Sequence, residues 1–183
     1  FSVEGIDEWV GISGISVSDL DVKRSFVISY SPPEEVEVSL ENDMTLKITY
    51  EWTHPGFPST KEASVTQKTY FKLIANDESR PLEEFMSVVH RLNTLLCLAV
   101  NSIVSLDQVK AYEQAPNIED NRGYQQPITL YYASLPYVKE APKISWHRML
   151  FRYGDVSDKF TAVVNNWLNA YGDIKHALNL YFS

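Results

Sequence analysis

The stretch Val36-Glu37-Val38-Ser39-Leu40-Glu41-Asn42-Asp43-Met44-Thr45-Leu46-Lys47-Ile48-Thr49-Tyr50-Glu51-Trp52 decides how the chain is read. Val36, Val38 and Leu40 alternate with Glu35, Glu37, Ser39 and Glu41. Beyond Asn42-Asp43, the residues Leu46, Ile48, Tyr50 and Trp52 alternate with Thr45, Lys47, Thr49 and Glu51. A period of two sends successive side chains to opposite faces of a strand, and Asn and Asp tolerate the backbone of a tight turn. The stretch therefore predicts a β-hairpin, apolar on one face and charged on the other.

Working outward, Phe26 to Tyr30 reads as a strand stopped by Pro32-Pro33. Val65 to Ile74 reads as another, with Val65, Phe71 and Leu73 on one side and Lys68 and Lys72 on the other. The residues between, Thr53-His54-Pro55-Gly56-Phe57-Pro58-Ser59-Thr60, form a loop by composition. Then the period changes. Pro81 suits a first helical turn, Glu83 and Glu84 suit the N-terminal dipole, and Leu82, Phe85, Met86, Val89, Leu92 and Leu96 share one helical face. Beyond Leu95 this helix is apolar all round, which predicts that its C-terminal end is deeply buried.

Residues 113–127 are polar with Gly123 and two prolines and read as a loop, and strands are expected again at Ile128 to Ala133 and Ile144 to Phe151. Asp155-Val156-Ser157-Asp158 reads as a helix start resembling a capping box. Val156, Phe160, Val163, Val164, Trp167, Leu168 and Tyr171 hold one face until Gly172, which is expected to stop that helix. Asp173 then opens a last helix with Ile174, Ala177, Leu178 and Tyr181 on its apolar side. The prediction is an α+β domain: an antiparallel sheet or sandwich in the first half, one buried central helix and two C-terminal helices. A single domain over residues 1–183 is expected.

The charge is 16 basic against 24 acidic residues, a net −8, which argues against a phosphate-binding surface built from bulk positive charge. Hydrophobic residues at 44% and charged residues at 22% exclude a disordered chain. Cys97 stands alone, so no intrachain disulfide forms, and its apolar neighbours Leu95, Leu96, Leu98, Ala99 and Val100 point to packing rather than to a thiolate nucleophile. No apolar run reaches the roughly 20 residues that span a bilayer, and no signal peptide is visible, so a reducing cytoplasm is expected. The chain opens on Phe1 and closes on Leu180-Tyr181-Phe182-Ser183 inside a helical pattern, and is expected to be the N-terminal piece of something longer.

Gly11-Ile12-Ser13-Gly14 has the spacing of a nucleic-acid-clamping loop, but lacks flanking bases and a following helix, so it reads as a turn. His54, His90, His147 and His176 are scattered without metal-ligand spacing; Asp173 and His176 read as a surface pair. Glu34-Glu35 and Glu83-Glu84 read as solvated charge and dipole complement rather than as a glycosidase pair. No catalytic residue, metal ligand or cofactor follows.

Two features bear on binding. Lys139, Lys143, His147, Arg148 and Arg152 concentrate positive charge, with Arg148 and Arg152 on one face of the expected strand. A solvated sheet edge is the alternative reading. The aromatics Trp52, Phe57, Tyr112, Tyr124 and Tyr137 lie in or beside expected loops, where rigid rings anchor partner surfaces and sugar faces, although aromatics also fill β cores.

Several motifs carry a resemblance: Glu8-Trp9-Val10-Gly11, Ile28-Ser29-Tyr30-Ser31-Pro32-Pro33, Gln67-Lys68-Thr69-Tyr70-Phe71 and Pro81-Leu82-Glu83-Glu84-Phe85 running into Leu95-Leu96-Cys97-Leu98-Ala99. At the far end come Met149-Leu150-Phe151, Asp155-Val156, Asn166-Trp167 and Leu180-Tyr181-Phe182. Together they resemble the ApeA N-terminal domain family. The resemblance implies a bacterial anti-phage, abortive-infection protein in which this domain precedes a C-terminal HEPN ribonuclease. That nuclease's signature, an Arg, a few residues and a His, has no counterpart here, since the nearest pair, Arg80 and His90, is ten apart.

The implied role is a non-catalytic sensor that recognises a phage protein and controls the attached nuclease. Its expected partners are therefore the HEPN domain of the same chain and the phage trigger, with a homo-oligomer formed through the full-length protein. Membrane and strong nucleic-acid binding are not expected. His54, Phe57, Tyr112, Tyr124, Arg148 and Arg152 are the expected partner contacts, with Tyr181 and Phe182 toward the nuclease. The competing expectation is a glycan- or peptide-binding β module that uses loop aromatics.

Overall fold

A computed structural model describes residues 1–20, 25–54, 56, 64–76, 80–112, 127–130 and 148–181. In chain order the elements are β1 (Ser2–Val3), α1 (Ile6–Val10), β2 (Ile15–Leu20), β3 (Ser25–Tyr30), β4 (Val36–Ser39), β5 (Met44–Thr53) and β6 (Thr66–Ala75). There follow α2 (Leu82–Val100), β7 (Leu106–Ala111), β8 (Ile128–Leu130), α3 (Tyr153–Val156), a 3₁₀ turn at Ser157–Lys159 and α4 (Phe160–Tyr181). The ladders are β4–β5–β6, β2–β3 and β1–β7–β8, and every pairing is antiparallel. The molecule is α+β.

The hairpin forms in the expected register, with Val38 opposite Leu46 and Val36 opposite Ile48. Its turn places Asp43 at φ 57°, the left-handed conformation that Asp adopts more readily than most residues. Val38, Leu40, Met44, Leu46 and Ile48 are buried, whereas Lys47 and Glu37 pair on the opposite face. β6 extends the ladder, setting Phe71 beside Ile48 and Leu73 beside Leu46. Each of these large side chains contributes roughly 1.5–3 kcal/mol by leaving water.

Three helices line the buried face of this sheet. Trp9 of α1 is buried, and its ring lies 6.3 Å from Phe71, 6.5 Å from Phe151, 6.1 Å from Tyr153 and 5.9 Å from Phe160. The C-terminal half of α2 is the deepest helix surface, as its composition predicts: Leu92, Leu95, Leu96, Ala99 and Val100 are all buried. Asn101, at φ 53°, caps it, and Ser102 N–H donates to the Cys97 carbonyl at 3.1 Å. α4 is fastened to α2 by Trp167 Nε1 donating to Arg91 O at 2.7 Å, and by Arg91 Nη1 donating to Leu168 O at 3.0 Å. It is fastened to the hairpin by Asn165, which donates to Ser39 O at 3.0 Å and accepts from Glu41 N–H at 3.1 Å.

Several expectations need correction. Residues 148–151 are not a strand: Leu150 N–H donates to Ala99 O at 2.8 Å, so this backbone closes the end of α2 instead of joining a ladder. Residues 131–133 and 144–147 of the expected strands lie outside the described residues. Asp155 does not open a helix; it sits inside the first turn of α3, where it accepts from Arg152 N–H at 2.7 Å. Gly172 does not stop a helix. α4 runs through it to Tyr181, so one long C-terminal helix stands where two were expected. A helix interior tolerates glycine at a cost of about 1 kcal/mol, and a stop also needs a left-handed backbone, which Gly172 does not have. Leu82, expected on the buried face of α2, is instead 40% exposed.

Candidate partner-binding site

β1 is short, and its placement creates the most distinctive surface of the molecule. The Phe1 amine donates to Phe71 O at 2.6 Å, and Phe71 N–H donates back to Phe1 O at 2.9 Å. Such reciprocal exchange is the antiparallel pattern. Since β1 also pairs with β7, it is wedged between β6 and β7. Side chains reinforce the wedge: Lys68 pairs with Asp107, and Tyr70 OH donates to Gln108 Oε1 at 3.2 Å.

A cavity of about 570 Å³ lies beside Phe1 between β6 and β7. Its lining includes Phe71, Lys72 and Leu73 of β6, Phe85, Met86 and Val89 of α2, Val109, Lys110 and Ala111 of β7, and Leu130 of β8. Leu82, Tyr112 and Ile128 also line it while remaining 40%, 53% and 59% exposed. Exposed apolar side chains scattered singly need no explanation, but three gathered on one concave surface make it a candidate binding surface. Glu35, Glu51 and Arg80 add polar groups to the lining.

A second aromatic surface lies on β3 and β5. Tyr30 and Trp52 have ring centroids 5.5 Å apart, and His54 stacks on Trp52 at 5.4 Å with an interplanar angle of 23°. Trp52 is 48% exposed. His54 is fixed by its Nδ1 accepting from Gly56 N–H at 3.0 Å. A second cavity, of about 420 Å³, is lined by Ser87, His90, Arg91, Asn93, Thr94 and Tyr171. Its Arg91 is already committed to the Leu168 carbonyl and stands over the Tyr171 ring at 5.5 Å.

The expected contact residues divide among these places. Tyr112 lines the first cavity and His54 belongs to the stacked aromatics. Arg148 and Arg152 are both exposed, but they lie in a 3₁₀ segment and at the N-cap of α3, so the shared strand face expected for them does not exist. Phe57, Tyr124 and Phe182 lie outside the described residues, as does the side chain of Tyr181 at the end of α4. The chain-wide reading missed Ile128 and Leu82 as contact candidates. The signal for Leu82 was its position at the very start of α2, where a helix face overhangs the layer it packs on.

Cys97 behaves as its neighbours predict. Burial pushes its thiol up, away from thiolate, and its Sγ accepts from Val104 N–H at 3.4 Å. Among the described residues no three His, Cys, Asp or Glu gather where a metal ion would sit, and no helix is long and apolar enough to cross a membrane.

Compared with known proteins, residues 1–167 match the family described as ApeA N-terminal domain 1. No curated protein and no solved structure matches the chain.

Proposed function

Because the chain belongs to the ApeA N-terminal domain family, we propose that it is the sensor domain of an ApeA-like anti-phage protein, recognising a phage protein and controlling a HEPN ribonuclease attached behind it. The observation that carries this reading is the apolar cavity between β6 and β7, with Leu82, Tyr112 and Ile128 exposed along it. A sensor must bind its trigger with different affinity in its resting and active states, and a preformed apolar surface supplies that binding energy. The domain itself contributes recognition, and the chemistry belongs to the nuclease. Abortive infection in the cytoplasm, by a single domain over residues 1–183 joined to the nuclease, completes the proposal.

The test is phage challenge of cells that carry the parent protein. Tyr112→Ala combined with Ile128→Ala should abolish protection while the protein accumulates normally and unfolds at an unchanged urea midpoint. Undiminished protection would remove the cavity from the sensing role.

A second reading, glycan binding, is favoured by the exposed Trp52 ring with His54 stacked on it, because flat aromatic faces pack on sugar rings. A glycan array probed with the domain and with Trp52→Ala separates the two: Trp52-dependent sugar binding supports the second reading, and an empty array removes it.

A further inference from the structure

We propose that the seam between α2 and α4 holds a binding site for a small phosphate ester, its phosphate on the Arg91 guanidinium and its organic remainder along the rings of His90 and Tyr171. The site is separate from the cavity between β6 and β7, and it stands or falls independently of the sensing role.

Helices normally meet through apolar side chains, and α2 buries Leu92, Leu95, Leu96 and Ala99 in that way. Beside that face, Ser87, His90, Arg91 and Thr94 recur at helical spacing, and together with Asn93 and Tyr171 they line a cavity of about 420 Å³. Every one of these side chains carries a hydrogen-bonding group. Among the described residues no carboxylate lines the cavity, although the chain as a whole carries a net charge of −8. The permanent charge of the described lining is the Arg91 guanidinium, so the local charge opposes that of the molecule and favours an anion.

Arg91 is preorganised for such a ligand. Its Nη1 donates to Leu168 O at 3.0 Å, and its guanidinium carbon stands 5.5 Å from the centre of the Tyr171 ring. Its backbone is pinned as well, the carbonyl accepting from Trp167 Nε1 at 2.7 Å. No carboxylate pairs with it among the described residues. A guanidinium fork has further N–H donors beyond the one given to Leu168, and because this fork is already oriented, a ligand that takes them orders little.

The hydroxyls around it divide into two kinds. Thr94 Oγ1 donates to His90 O at 2.9 Å, so in its 3.2 Å contact with Tyr171 OH the phenol is the donor. Those two protons are spent on the wall of the cavity. Ser87, one helical turn before Arg91, is exposed, and its hydroxyl has no partner among the described residues. A carboxylate has two oxygens, and a bidentate fork fills both. A phosphate keeps a third oxygen for the Ser87 hydroxyl, which is why this lining selects phosphate. The phosphate group alone takes up a small part of about 420 Å³, a volume within the roughly 300–1,000 Å³ of small-molecule sites, so the ligand carries an organic remainder. The two rings in the lining suit a flat one.

The experiment is calorimetric titration of the 183-residue chain with phenyl phosphate, benzoate and phenol. Saturable binding of phenyl phosphate is expected, with inorganic phosphate competing, benzoate weaker by about tenfold and phenol silent. Ser87→Glu sets a carboxylate in the cavity from an exposed helical position and leaves the bonds of Arg91 untouched; it should weaken phenyl phosphate by about tenfold or more. Arg91→Lys keeps the charge but loses the planar fork, and should weaken binding by about tenfold as well. If Arg91→Lys loosens the seam and unfolds at lower urea, Ser87→Glu decides alone. Phenyl phosphate binding unchanged in Ser87→Glu would overturn the site, as would the absence of saturable binding. Benzoate binding as tightly as phenyl phosphate would overturn the assignment to phosphate.

Discussion

Trp9 shows how a single residue organises this fold. It comes from a five-residue helix, yet its ring touches Phe71 of β6, Phe151 and Tyr153 before and within α3, and Phe160 of α4. Its indole N–H is buried without a hydrogen-bond partner among the described residues, so ring packing alone holds it. Trp9→Ala should therefore cost about 3–5 kcal/mol, read as a lowered urea midpoint with an unchanged slope. Tyr50 offers a test by titration. Burial pushes its phenol up to about 12, with Tyr153 adding to the shift. The unfolded chain loses this proton near its ordinary value of about 10, so stability should fall as pH rises from there to the folded value. Tyr50→Phe should flatten part of that fall, measured as urea midpoints across the alkaline range; an equal fall in the variant would refute the assignment.

At the scale of elements, two glycines behave oppositely. Gly14 precedes β2, and a Cβ there would lie 2.1 Å from Ser31 O and 3.0 Å from Pro33 Cδ. Gly14 O also accepts from Ser31 N–H at 2.9 Å, and its N–H donates to Gln67 Oε1 at 2.8 Å. Gly14→Ala must push two backbone segments apart and should destabilise the domain by about 1–3 kcal/mol. Gly172 lies inside α4, and a Cβ there meets nothing within 4 Å. Gly172→Ala should stabilise the helix by about 1 kcal/mol, seen as a raised melting temperature. A destabilised variant would mean that α4 ends at Gly172 after all. These elements also show what was legible. The hairpin was readable because both its strands and its turn lie within residues 36–53, and α2 because its apolar face repeats for 19 residues. α1 and β7 were not readable: five residues cannot display a helical period, and β7 buries only Val109 fully. Both owe their existence to distant partners, β7 to the chain's first residues in particular.

The whole molecule assembles its candidate site from four places in the chain: Phe1, the end of β6, the start of α2, and β7 with β8. No local pattern announces such a site. Tyr112 alone among the expected contacts was visible beforehand, as an aromatic at the edge of a polar loop, while Leu82 and Ile128 looked like ordinary helix and strand residues. Membership of the ApeA N-terminal domain family gives the site a biological setting, and its exposed apolar side chains give it a physical reason to bind a protein.

The measurement that bears most directly on this account is site-specific photo-crosslinking in infected cells, with a photoreactive phenylalanine analogue replacing Tyr112 in the parent protein and, as control, replacing Val17, which is exposed on β2. The account predicts an adduct with a phage-encoded protein at position 112, formed only after infection and absent at position 17. An adduct pattern identical at both positions, or none at 112 while the protein still protects, would contradict it.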